Sequence, residues 1–213
     1  MPAFAVGRAQ MLLYVVHKLM GQGKIPKLPV YLNSPMAIKA TEIFCRHHKE
    51  HKLSGADCEL IDDKTEFVRT VEASIELDAV RYPCIIISAS GMASGGRVLH
   101  HLKSLLPNYR NSVIFAGFQA PGTRGDALVN GADKVKIHGE YWPVKAEIYS
   151  LDSMSAHGDY KEILNWLEQG SLKPQKVYIT HGEMVASDTM RKHISETFGW
   201  DVEVPELFEE VEI

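Results

Sequence analysis

Three stretches of the sequence put reactive or anion-binding residue types next to the ends of regular elements. Ser153–Tyr160 reads SMSAHGDY, with Asp159 and Glu162 spaced as the capping box of a following helix. Ser155, Ala156 and His157 then lie just before a helix N-terminus, where free N–H groups and the positive dipole end favour an anion. A histidine there suits phosphate binding when charged, or service as a general acid. It equally suits a surface loop beside a good cap. Tyr178–Glu183 reads YITHGE, an apolar strand ending in His181, with Gly182 allowing a sharp turn. Strand C-termini in α/β proteins face the site crevice, and neutral imidazole is a natural zinc ligand. The alternative is a hydrogen-bonded core histidine. Ser88–Arg97 reads SASGMASGGR. Small residues such as Ser90 and Gly91 let backbone N–H groups approach a phosphate, and Arg97 near a helix start is placed to clamp it. The stretch matches neither the dinucleotide glycine pattern nor the P-loop, and its glycines also fit a tight turn.

Two histidine clusters are weaker. His47 and His51 in RHHKEH fall at i, i+4 on one predicted helix face, but the segment lacks a third ligand and its lysines mark a solvated face. His100 and His101 are adjacent on a predicted helix, so their side chains diverge.

These stretches sit on a regular alternation of elements. The pattern predicts a strand at Ala3–Val6, a helix from Ala9 to about Met20, and a strand at Pro29–Leu32. Ser34 and Pro35 then cap a helix to about His51. A further helix covers roughly Glu66–Leu77. Pro83–Ser88 is a continuous apolar run, as a buried central strand requires. Arg97–Leu106 is helical, Ser112–Gly117 extended and Asp126–Asn130 a short helix. Such alternation implies an α/β fold with a doubly wound, mostly parallel sheet.

From about Lys134 the texture becomes a meander. A helix follows with Ile163, Leu164, Trp166 and Leu167 as its buried stripe, then a strand at Lys176–Thr180 and a helix at Ala186–Phe198. A lobe boundary falls near residue 140.

Composition narrows the function classes. With 213 residues and a net charge of −4, a wholesale basic binder is excluded, so any nucleic-acid surface must be a local patch. Three cysteines without CxxC spacing argue against a disulfide framework or a cysteine-based zinc module, and suit the cytoplasm. No apolar run approaches the ~18 residues of a membrane span.

Taken together, the segments resemble the β-CASP branch of the metallo-β-lactamase superfamily, the RNA-processing nucleases. Six blocks carry the likeness in order: AFAVGRAQ at the start, VYLNSPMAIKATEIF at 30–44 and SASGMASGGRVLHHL at 88–102. GFQAPGTRGDAL at 117–128, SAHGDY at 155–160 and THGE at 180–183 complete it. The resemblance implies that His157 is the motif B histidine beside the scissile phosphate, and that Ser155 and Ala156 hold phosphate. It implies that His181 is the motif C ligand of a zinc ion. Ser90, Gly91 and Arg97 would belong to a lobe that clamps over RNA.

The family's HxHxDH motif occurs nowhere in these 213 residues. The chain therefore resembles the C-terminal half of such a nuclease: residues 1–140 as the β-CASP lobe, and 141–213 as the last segment of the metallo-β-lactamase αββα domain. The intact family enzyme carries two zinc ions. Catalytic zinc takes about three protein ligands, and this chain offers one, so neither stable zinc binding nor cleavage is expected of it alone. RNA is the expected substrate. The partner would be the missing N-terminal half or a second copy covering apolar faces left open. A non-catalytic RNA-binding or scaffolding subunit is the alternative.

Overall fold

A computed structural model of the protein describes residues 1–155 and 157–211. The first helix, α1 (Arg8–Gly21), buries Ala9, Leu12, Leu13, Val16 and Met20, the i, i+3, i+4 stripe of an amphipathic helix. It packs on β1 (Val30–Asn33), all four residues of which are buried. Ser34 accepts the Ala37 N–H at 3.2 Å and Pro35 occupies the first turn, so α2 (Pro35–Arg46) starts where the sequence predicts. It does not run to His51. The His51 ring stacks on Phe44 at 3.7 Å, and its Nε2 lies 2.9 Å from the Phe44 carbonyl, folding the chain back after Arg46. His47 and His51 consequently do not share a helix face.

Two elements depart further from the sequence pattern. A Ser54–Asp57 capping box opens α3 (Gly55–Lys64), which buries Cys58 and Ile61. Where a helix over Glu66–Leu77 is predicted, the chain instead forms β2 (Thr65–Phe67), and α4 (Val71–Asp78) follows from a Thr70 cap. Pairing in register with β1 outweighs the local helical pattern. The predicted strand at Ala3–Val6 is a turn at residues 5–7. The extended contact comes earlier, where Ala3 N–H donates to the Ser88 carbonyl and Ser88 N–H to that of Met1.

Parallel β3 (Ile85–Ser88) completes a three-stranded sheet in the order β2-β1-β3. The chain crosses from the central strand β1 to β2 on one side and then from β2 past β1 to β3 on the other, so the C-terminal ends of β1 and β3 form a topological switch point, with Asn33 level with Ser88. A second core gathers α5 (Val98–Leu105), β4 (Ser112–Phe115) and α6 (Arg124–Val129) around Phe115, Leu106 and Leu128. The expected meander is a hairpin of β5 (Lys134–Ile137) and β6 (Glu140–Pro143). His138 and Gly139 both take positive φ, as a two-residue hairpin turn requires. The next strand, β7 (Glu147–Ser150), leaves that hairpin to pair in parallel with β4. The α/β class with parallel sheets therefore holds.

The chain forms two compact units, Met1–Ser155 and Ala156–Ile213. The second contains α7 (Tyr160–Gln169), β8 (Val177–Tyr178), α8 (Met184–Phe198) and β9 (Val202–Glu203). The two strands pair in parallel, with Lys176 and Glu203 ion-paired. Its core is small: Ile194 and Val202 are buried, and the Tyr160 ring stacks on His193 at 4.4 Å. The predicted stripe of α7 is not buried. Ile163 and Trp166 are exposed, Trp166 to 70%, and Leu164 and Leu167 are half-covered. Two two-residue strands and one helix offer too little surface to cover it.

His17 on α1 is buried, with Nε2 2.9 Å from Thr65 Oγ1. Burial, and then the Lys64 ammonium, hold its imidazole below the ordinary histidine pKa. A depressed folded pKa contributes stability that is present above the unfolded value of about 6.5 and is lost as pH falls through the folded value. Replacing His17 by Gln removes the titration. The thermal midpoint of the native chain should drop more than that of His17→Gln between neutral pH and about pH 5. Parallel curves would show that His17 carries none of the acid sensitivity.

Candidate functional site

The loop after β3 folds on itself. Ser90 Oγ accepts the N–H groups of Ser94 at 3.1 Å and Gly95 at 3.4 Å, and the Ser90 carbonyl accepts Ala93 N–H. The Ala89–Ser90 peptide is cis. Gly96 has φ +76°, and a Cβ there would lie 2.5 Å from the Ala89 oxygen, so this turn admits only glycine. Gly91 is needed for another reason: its missing Cβ leaves room for the Phe4 ring and backbone. Donors expected to face a phosphate are thus partly engaged within the loop, and Ser90 acts as its internal acceptor.

Arg97 follows directly. Its Nη1 donates to Asn33 Oδ1 at 2.8 Å and to the Val68 carbonyl at 3.0 Å, and its Nη2 to the Arg69 carbonyl at 3.3 Å. The guanidinium bridges the end of β1 to the segment after β2, which leaves two of its five N–H groups for a ligand. Behind it lies a buried network that sequence reasoning missed. Asn33 Nδ2 donates to Ser74 Oγ at 2.7 Å and to His101 Nε2 at 2.7 Å, while His101 Nδ1 lies 2.5 Å from Asp78 Oδ1. The one signal available was the His100–His101 pair, whose members diverge as expected: His101 is buried and His100 exposed.

Ser155 ends the first unit, exposed, in extended conformation. Ala156 lies outside the described residues. His157 is exposed, two residues before the Asp159 cap of α7. The capping box forms as predicted. Asp159 Oδ1 accepts Lys161 N–H at 2.8 Å and Glu162 N–H at 2.9 Å, and Glu162 Oε2 accepts Asp159 N–H at 2.8 Å. This corrects one expectation: those first-turn donors are not free, because the Asp159 carboxylate already occupies them. An anion beside His157 would have to rely on the imidazole and on other groups.

His181 stands after β8 and just before α8, exposed rather than in a core, which removes the core-histidine alternative. Its φ is +65°, in the left-handed region that L-residues enter at a cost. Gly182 then passes close to the Ser187 hydroxyl, which would have to turn aside for a Cβ there. The His181 ring stands in solvent rather than packing against a neighbour that would repay the cost. Among the described residues no three histidine, cysteine, aspartate or glutamate side chains stand together to hold a metal ion. The donors described here do not by themselves fit zinc.

Replacing His181 by Gly tests the backbone argument. The second unit should become about 1 kcal/mol more stable as the left-handed residue loses its Cβ, read as a higher urea midpoint. A lower midpoint would mean that the imidazole contributes packing that outweighs the strain.

Comparisons with known proteins match two family models in order along the chain. The model of the Beta-Casp domain matches residues 9–128, and that of the Zn-dependent metallo-hydrolase RNA specificity domain matches residues 137–205. A ribonuclease of Thermus thermophilus is 36% identical over 189 residues, covering 85% of this chain and 42% of the relative. An RNase J-like protein of Methanocaldococcus jannaschii is 32% identical, covering 87% and 43%. The transcription termination factor FttA of Methanosarcina mazei is 31% identical, covering 85% and 30%. The chain thus spans less than half the length of these curated relatives. With the Beta-Casp model covering more than half of its residues and the RNA specificity model following in order, the chain belongs to the β-CASP branch of the metallo-β-lactamase superfamily.

Proposed function

We propose that this chain is part of a zinc-dependent ribonuclease that hydrolyses RNA phosphodiester bonds in RNA processing or decay in the cytoplasm. Residues 1–140 would act as the lobe that closes over RNA, and residues 141–213 as the closing segment of the metal-bearing domain. The observation that carries the reading is the tandem order of the two matched models along one chain. His181, exposed at a strained position after a strand, supplies one zinc donor. His157, before α7, grips the scissile phosphate or gives a proton to the leaving oxygen. Ser155 and Ala156 add polar groups of the same turn. Arg97, Ser90 and Gly91 shape the clamp, with the remaining N–H groups of Arg97 turned to the RNA backbone. No helix of the described residues is long and apolar enough to cross a membrane.

The remaining metal donors come from a partner, either a metallo-β-lactamase half or the equivalent surface of a second copy. The exposed apolar face of α7, with Ile163 and Trp166, is where we place that contact, because an uncovered stripe of this kind marks an interaction surface. A second reading, a non-catalytic RNA-binding or scaffolding subunit, is favoured by the internal bonding of Arg97 and Ser90.

Cleavage of a labelled single-stranded RNA separates the two. The chain alone should be inactive, and a metallo-β-lactamase half taken from a relative should restore cleavage when added. His181→Ala and His157→Ala should each lower the restored rate at least ~100-fold, and Trp166→Asp should prevent the complex from forming. Cleavage by the chain alone would overturn the split-site account. RNA binding without cleavage in any mixture would favour the scaffolding reading.

A further inference from the structure

The β5–β6 hairpin presents a small surface of unusual composition. Side chains alternate along a strand, so Val135 and Ile137 enter the core while Lys134 and Lys136 face solvent. Tyr141 lies opposite Lys136 in the antiparallel register and shares that face. Its ring centre is 5.5 Å from Lys134 Nζ and 5.9 Å from Lys136 Nζ, and the residue is 65% exposed. An aromatic ring is thus exposed to water close to two ammonium groups.

Beside it is a cavity of about 410 Å³ lined by Ser94, Thr123, Arg124, Lys134 and Lys136. The Arg124 guanidinium is fixed: Nε donates to the Lys136 carbonyl at 2.5 Å, and Nη1 to the carbonyls of Ser94 at 3.2 Å and Ala93 at 3.4 Å. Among the described residues, none of these three cations is ion-paired with a carboxylate. Asp126, near in sequence, is engaged by Gly122 N–H and Asn130 Nδ2. In a chain of net charge −4, three cations around one cavity, none within ion-pair distance of a carboxylate among the described residues, repel each other, and an anion relieves that repulsion.

We propose that this surface binds single-stranded RNA, with a backbone phosphate in the cavity between Arg124, Lys134 and Lys136 and a base stacked on Tyr141. The inference rests on the reading of the chain as an RNA-handling protein and gives that reading a second point of contact. Positive charge tracking the backbone, with an aromatic side chain for an unstacked base, is how proteins hold single strands without reading sequence. A duplex keeps its bases stacked and offers Tyr141 nothing.

Affinity of the 213-residue chain for a short fluorescein-labelled oligouridylate, and for an RNA duplex of equal length, tests this. Tyr141→Ala should weaken single-strand binding about tenfold and leave duplex binding unchanged. Lys134→Gln with Lys136→Gln should reduce the salt dependence of single-strand binding by about 0.7 in log–log slope, the loss of one neutralised phosphate. These side chains are exposed, so thermal midpoints should match the native chain. As a readout free of mutation, 4-thiouridine RNA should crosslink to the peptide spanning residues 134–143. Native-strength binding by the variants, or crosslinks confined to other peptides, would overturn the proposal while leaving the nuclease reading intact. So would failure of the native chain to bind RNA if cleavage is still restored by the added half. Loss of both would remove the two together.

Discussion

Asn33 lies at the C-terminal end of the central strand, fully buried, and a buried amide must fill its hydrogen-bonding positions or destabilise the core. Its oxygen accepts from Arg97, its nitrogen donates to Ser74 and His101, and its own carbonyl accepts from Ser88 Oγ. For His101 Nε2 to accept, the ring proton must sit on Nδ1, which faces Asp78. One side chain thereby ties β1 to α4, α5, the end of β3 and, through Arg97, the segment after β2. Both ends of the glycine-rich loop are tied to that hub. The loop begins at Ser88, which bonds to Asn33, and ends at Arg97, which does the same.

This constraint changes what the loop can do. Arg97 and Ser90 have the residue types of a phosphate site, yet much of their bonding capacity is directed inward. The same holds at α7, where Asp159 fills donors that an anion would otherwise use. What these segments offer a ligand is therefore shape first and direct bonding second. The Arg97 guanidinium keeps two N–H groups beyond those it spends inside the lobe.

Much of this was legible from the sequence, for identifiable reasons. Ser34–Pro35 and Asp159–Glu162 are local signals whose side chains bond within one turn, and both form as read. The helix read over Glu66–Leu77 is not there, because β2 owes its existence to β1, a partner more than thirty residues away. No local window contains that information. The apolar stripe of α7 was correctly identified as apolar but incorrectly expected to be buried: periodicity shows which face seeks cover, not whether this chain supplies it. Asn33 and His101 were invisible as a pair, since only the fold brings together two residues on different elements. The position of His181 after a strand was legible because the strand–histidine–glycine order is itself local.

The account turns on incompleteness: one exposed donor at His181, no cluster of three among the described residues, and an apolar helix face without cover. Metal content after equilibration with zinc and dialysis measures this most directly, on the chain alone and on the chain with an added metallo-β-lactamase half. The account predicts no retained zinc on the chain alone, zinc bound in the complex, and its loss in His181→Ala. Stoichiometric zinc retained by the 213-residue chain alone would contradict it.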